Sequence, residues 1–142
     1  MKALVIFDSN FGNTKIIAEV VAKELGESAR VISVSDFKIK DLEGIELLVV
    51  GSPINGWRPT KKIENFLANL NTNQLKGIRA TSFDTRINFF FHGDAAKKIS
   101  RKLERAGAQT ITPPKGFFVK GAEGPLIEGE IEKAITWAKS IK

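Results

Sequence analysis

The feature that most constrains this chain is its alternation of apolar runs with segments of helical periodicity. The apolar runs are Ala3 to Phe7, Arg30 to Val34, Leu47 to Gly51, Ile78 to Phe83 and Phe117 to Val119. Helical spacing of apolar residues covers Thr14 to Gly26, Pro59 to Leu70, Asp94 to Ala106 and Ile127 to Ile141. Strands separated by helices pair in parallel, and the helices must then cover both faces of the sheet. With right-handed crossovers the simplest outcome is an α/β fold with a doubly wound, open sheet of about five strands. Asp36 to Gly44 is short and polar, so that crossover has room for only a turn or two of helix. At 142 residues and 42% hydrophobic the chain supplies one core, and residues 1–142 read as a single domain.

Ligands of such sheets bind beyond the carboxyl ends of the strands, where strand order reverses. The first run enters Asp8-Ser9-Asn10-Phe11-Gly12-Asn13-Thr14 and continues at once as helix. A strand–loop–helix junction aims several unpaired backbone amides at one point, and the positive end of the helix dipole adds to their attraction for an anion such as phosphate. Ser9, Asn13 and Thr14 are short donors, and Gly12 permits a positive φ. An ordinary capped helix start uses the same residue types, and the loop alone does not separate the two. No Gly-x-x-x-x-Gly-Lys-Ser/Thr occurs, nor Gly-x-Gly-x-x-Gly after this strand, which argues against a nucleoside triphosphate or a pyrophosphate.

The loop after the third run, Gly51-Ser52-Pro53-Ile54-Asn55-Gly56-Trp57-Arg58-Pro59, carries a large aromatic beside a glycine. A tryptophan at a loop tip exposes apolar surface unless it stacks on a flat ligand or folds back over the sheet edge. Pro59 fits the first position of the next helix. The loop after the fourth run is Ser82-Phe83-Asp84-Thr85-Arg86, and all three loops are expected at one rim.

Composition narrows the chemistry. With no cysteine and a single histidine, His92, thiolate metal sites, iron–sulfur clusters, cysteine nucleophiles and histidine metal sites are excluded or implausible. His92, near Gly93-Asp94, reads as capping or flanking a helix start in preference to relaying a proton. The absence of cysteine fits a reducing cytoplasm, the expected location. No apolar run approaches the roughly 20 residues that cross a bilayer, and Met1-Lys2 leads straight into a strand, so no membrane or export segment is expected. The net charge of +6 allows an acidic partner protein or weak, non-specific contact with nucleic acid. Lys97, Lys98, Arg101, Lys102 and Arg105 are spaced as the solvated face of a helix whose other side carries Ala96, Ile99 and Leu103, a reading preferred to that of a docking patch. Trp137 is spaced for core packing, and Glu128, Glu130 and Glu132 suit the dipole of the last helix.

Together, Ser9-x-x-Gly12-Asn13-Thr14, Gly51-Ser52-Pro53, the aromatic beside Gly56, Phe83-Asp84-Thr85-Arg86, and Gly124-Pro125-Leu126 with Gly129-Glu130 resemble the short members of the flavodoxin family over almost the whole chain. The resemblance implies a five-stranded sheet of order 2-1-3-4-5, non-covalent FMN, and electron transfer to a redox partner protein, with the chain as monomer or homodimer. By position it implies that Ser9, Asn10, Phe11, Gly12, Asn13 and Thr14 hold the FMN phosphate. Ser52, Pro53, Ile54, Asn55, Gly56 and Trp57 would line the isoalloxazine, and Ser82, Phe83, Asp84 and Thr85 would face its pyrimidine end. Gly56 would allow a peptide flip toward N5 of the reduced ring, and Arg58 would stabilise that ring's negative charge; about 1 kcal/mol there raises a one-electron potential by about 40 mV.

Two features depart from the family. This chain has no tyrosine to cover the second flavin face, leaving Phe83 or one of Phe89 to Phe91 to substitute, and it is basic where flavodoxins are typically acidic. Lys15, unfavourable alone at a helix N-terminus, suits a bound phosphate. The rival readings are an NAD(P)H-dependent quinone or flavin reductase, which needs a second pocket, and a flavin-free interaction module. A response-regulator receiver is excluded because Gly51-Ser52 stands where it needs a phosphoacceptor aspartate.

Overall fold

The computed structural model describes residues 1–87 and 94–142. Parallel strands β1 (Ala3–Phe7), β2 (Ala29–Ser33), β3 (Leu47–Pro53) and β4 (Arg79–Ile87) lie in the order β2-β1-β3-β4. The next position beside β4 is shared by β5 (Gln109–Thr110), paired with Arg79 and Ala80, and β6 (Lys115–Val119), paired with Phe83 to Ile87. Pro113 and Pro114 stand between these halves; lacking N–H groups, they cannot continue the ladder. The order is therefore the anticipated 2-1-3-4-5, with the fifth strand broken in two.

Helices α1 (Asn13–Leu25), α2 (Lys61–Ala68), α3 (Ala95–Arg105) and α4 (Glu130–Ile141) cover the sheet, and two 3-10 turns, Val34–Asp36 and Ile39–Leu42, occupy the short crossover between β2 and β3. Strand alternation divides the core. Ala3, Val5 and Phe7 of β1 pack with α1 and α4, whereas Leu4 and Ile6 pack with the residues of α2 and α3. On the first side Phe83, Phe117 and Trp137 meet edge to face with centroids 5.9–6.0 Å apart, each pair contributing about 0.5–1.5 kcal/mol beyond burial. Gly51 makes this packing possible: a Cβ there would lie 2.1 Å from the Phe83 ring.

Three boundaries differ from the periodicity. Helix α2 begins at Lys61, because the Thr60 side chain caps it by accepting from the Ile63 amide at 3.4 Å; Pro59 is buried before the cap and is not the first helical residue. Helix α4 begins at Glu130, since Ile127 instead donates its amide to Phe118 and extends the sheet contacts. Strand β4 runs on to Ile87, so Ser82 to Arg86 are strand residues, paired with β3 as far as Thr85 and with β6 from Phe83 onward.

Candidate functional site

The carboxyl ends of β1, β3 and β4 are tied together at one rim. The Asp8 amide donates to Gly51 (3.1 Å) and the Ile54 amide to Thr85 (3.1 Å). Around this junction opens a cleft of about 350 Å³, within the usual size range for small-ligand sites. Its walls are the first loop (Ser9, Asn10, Phe11, Asn13, Thr14), the second (Pro53, Ile54, Asn55, Gly56, Trp57), the end of β4 (Thr85, Arg86, Ile87), and Val119 with Ala122.

The first loop is built to leave donors open. Gly12 takes φ 94, ψ −10 at the N-cap of α1, a left-handed conformation that a side chain disfavours. Its amide donates to Ser9 Oγ (2.9 Å), and the Ser9 amide donates to Asp8 Oδ1 (2.9 Å). The backbone N–H groups of Asn10, Phe11, Asn13, Thr14 and Lys15 meet no acceptor among the described residues. Among the described helices α1 also stands apart in having neither a side-chain cap nor an acid in its first turn; Thr60 and Asp94 cap α2 and α3, and Glu130 and Glu132 open α4. Uncompensated amides at the positive end of a dipole suit a phosphate dianion. Two side chains brace this loop. The buried Thr14 hydroxyl meets that of Thr85 at 2.8 Å, and Asn13 Nδ2 donates to Glu123 O at 3.1 Å, fastening the segment before α4 to the loop. Gly124 lies so near that a Cβ would come 2.6 Å from the Asn13 amide group.

The second loop turns in two residues. Asn55 and Arg58 exchange backbone hydrogen bonds of 2.7 and 3.3 Å around Gly56 (φ 58) and Trp57 (φ 72). Two successive positive φ values match a type I′ turn, which suits glycine and strains tryptophan. Lys98 of α3 donates to the Trp57 carbonyl at 2.8 Å. The indole is 55% exposed and Phe11 across the rim 56%, which leaves two aromatic faces at the cleft.

Several anticipated residues are placed elsewhere. Ser52 is fully buried; its hydroxyl accepts from the Thr60 amide (3.0 Å) and donates to Pro53 O (2.8 Å), anchoring the loop from below. Strand alternation turns Ser82 and Asp84 toward α3, where Ser82 donates to Ala96 O (2.6 Å) and Asp84 accepts from the Ala96 amide (2.9 Å). Phe83, fully buried among Phe117 and Trp137, cannot replace the missing tyrosine at the rim. Phe89 to Phe91 and His92 lie outside the described residues. Of the four β4 residues assigned by resemblance, only Thr85 reaches the cleft, and Arg58, exposed on the turn, does not line it.

The cation that does line it is Arg86. Its guanidinium grips Asp84 at 2.7 and 2.6 Å and approaches Asp94 at 3.4 Å. Burial pushes the Asp84 carboxyl above its ordinary pKa, against the pull of the Arg86 hydrogen bonds. For Arg86 burial opposes the charge, but the bonds to Asp84 outweigh it and raise its pKa, so the guanidinium stays ionised. Gly116 makes room for this pair, since a Cβ there would lie 2.5 Å from Arg86 Nε. Sequence reasoning missed Arg86, Ile87, Val119 and Ala122. Arg86 closed the segment expected at the rim without being given a role, and period-2 alternation continued past Thr85 was the signal that could have put Ile87 on the same face as Thr85.

In fold the chain is similar to a flavodoxin from the domain Archaea (TM-score 0.81, 22% identity, 99% of this chain and 96% of that one) and to flavodoxin 2 of Bacillus cereus (TM-score 0.85, 19% identity, 99% and 97%). It also matches 35% of the rubredoxin oxygen:oxidoreductase of Desulfovibrio gigas (TM-score 0.81, 16% identity, 99% of this chain). The flavodoxin family model matches residues 5–137, spanning both loops of the cleft, α1 to α3 and the first eight residues of α4, and this chain belongs to the flavodoxin family.

Proposed function

We propose that this protein binds FMN non-covalently in the rim cleft and serves as an electron carrier to a partner protein. The observation that carries the reading is the set of unpaired amides at Asn10, Phe11, Asn13, Thr14 and Lys15, opening on a cleft that also presents Trp57. Bound FMN would supply one- or two-electron chemistry by cycling between oxidised and reduced states. The amides would hold the phosphate, with Ser9 and Thr14 as hydroxyl neighbours and Lys15 as a nearby cation. Trp57 offers an aromatic face for the ring, and Pro53, Ile54 and Asn55 line the wall beside it. Rotating the Gly56–Trp57 peptide would bring Trp57 to negative φ in a type II′ turn, the arrangement a Gly-X pair prefers, so the Gly56 carbonyl has two orientations within reach. Arg86, held by Asp84, takes the electrostatic role first assigned to Arg58. The protein's positive net charge fits an acidic partner.

The test compares FMN with riboflavin by quenching of flavin fluorescence. Two or three charge-assisted hydrogen bonds, each worth about 1.5 kcal/mol, make FMN bind on the order of 100-fold or more tighter. Equal affinities would refute the phosphate cradle, and no binding of either would refute the cofactor. Steady-state NADPH oxidation with a quinone would instead support the reductase reading.

A further inference from the structure

The exposed face of α3 carries Lys97, Lys98, Arg101, Lys102 and Arg105 against one carboxylate, Glu104. An ordinary solvated helix mixes both signs, because like charges three or four residues apart repel. Here Lys97–Arg101, Lys98–Lys102 and Arg101–Arg105 are all like pairs at i,i+4. Lys97 and Lys98 also sit in the first turn, where the helix dipole disfavours cations; the N-cap Asp94 engages the Lys97 amide and Arg86 and forms no ion pair with either lysine. Arg30 pairs with Asp41 and Lys133 with Glu130, but among the described residues no α3 cation forms an ion pair. Apart from the Lys98 bond to the Trp57 carbonyl, the cations of this face make no polar contact within the fold among the described residues.

Its position gives it a use. Lys98, Arg101, Lys102 and Arg105 line a groove against Pro59, Glu64 and Leu67 of the α2 side, and Lys98 itself bonds the Trp57 carbonyl. Arg58 and Lys61, both exposed, continue the positive surface from the turn onto α2. The basic face is thus continuous with the exposed indole at the rim of the cleft. We propose that this face, from Arg58 through the α2–α3 groove, is the docking surface for an acidic protein electron carrier, oriented so that the partner meets the Trp57 edge of the site. The inference rests on the electron-carrier reading for what the partner does, and on charge complementarity for what it is.

A strongly acidic [2Fe–2S] ferredoxin serves as the probe, titrated into the isotope-labelled protein and followed by amide chemical shifts, a readout that does not require flavin. Shifts are expected at residues 57–61 and 97–105. Arg101→Glu/Lys102→Glu should weaken binding about tenfold or more at low ionic strength, and Lys97→Glu/Arg105→Glu should do the same. Lys23→Glu/Lys139→Glu, on α1 and α4 across the sheet from α3, changes the net charge equally and should cost less than about threefold. Equal losses in all three variants would reduce the effect to net charge, and no loss in the α3 variants would remove the surface; either overturns the proposal. So would a 20-base-pair DNA duplex that binds the same residues more tightly than the ferredoxin does. Each sample is also titrated with FMN. Ferredoxin binding without FMN binding leaves the surface standing and refutes the cofactor reading, whereas FMN binding without localised ferredoxin binding does the reverse.

Discussion

Gly12 and Gly129 provide a matched pair for testing how the first loop works. Both are N-cap residues in the left-handed region, at φ 94, ψ −10 and φ 92, ψ −11, and a Cβ at either would meet nothing within 4 Å. An alanine at each position therefore adds backbone strain alone, about 1–2 kcal/mol, and the reduced entropy of the unfolded chain is common to both. At Gly129, which does not line the cleft, the whole cost should appear as lost stability, a fall in Tm of about 3–4 °C per kcal/mol for a chain of this size, with FMN affinity unchanged. At Gly12 the neighbouring amides have no acceptor among the described residues, so the loop of Gly12→Ala can relax until a ligand demands the strained form. The same 1–2 kcal/mol is then divided between unfolding and binding, and FMN affinity falls by up to about five- to thirtyfold. Urea unfolding of the apoprotein and fluorescence titration with FMN measure the two parts. If Gly12→Ala loses as much stability as Gly129→Ala and binds FMN as tightly as the parent, the loop is rigid without its ligand and the reasoning fails. Equal loss of affinity in both variants would show that the effect is not local.

Removing the guanidinium in Arg86→Met strands the fully buried Asp84 carboxylate and should cost about 3–5 kcal/mol in urea unfolding; a loss under about 1 kcal/mol would mean that the pair does not hold β4 to α3. Because Asp84 has a raised pKa in the fold, the folded state binds its proton more tightly, and this group's contribution falls as pH rises from 3.8 through the folded value; Asp84→Asn should abolish that component of the pH profile, and an unchanged profile would contradict it. Gly51→Ala should destabilise by about 1–3 kcal/mol through the 2.1 Å approach to Phe83, and Phe83→Leu in the same chain should recover part of the loss; additivity of the two would exclude the clash.

The sequence by itself determined the layered fold, because the two periodicities are local signals. Apolar runs such as Ala3 to Phe7 can only be buried strands beneath flanking helices, and parallel pairing with right-handed crossovers leaves few orders for them. It also determined the first loop, where residue types that cap helices and tolerate positive φ stand together at a strand end. What it did not determine was which polar residues face the cleft. Ser82, Asp84 and Ser52 resemble ligand-binding residues by type, yet each spends its hydrogen bonds inside the protein, on Ala96 or on Thr60. Only the tertiary structure decided this, because the role of a polar side chain depends on which face of its strand it leaves and on what lies opposite. The extension of β4 to Ile87 rests on edge pairing with β6, more than 25 residues away, which likewise brought Thr85 to Thr14 and Arg86 to the cleft. The α3 charges are legible in the sequence as an amphipathic pattern; their lack of partners and their junction with Trp57 through Lys98 exist only once the chain has folded.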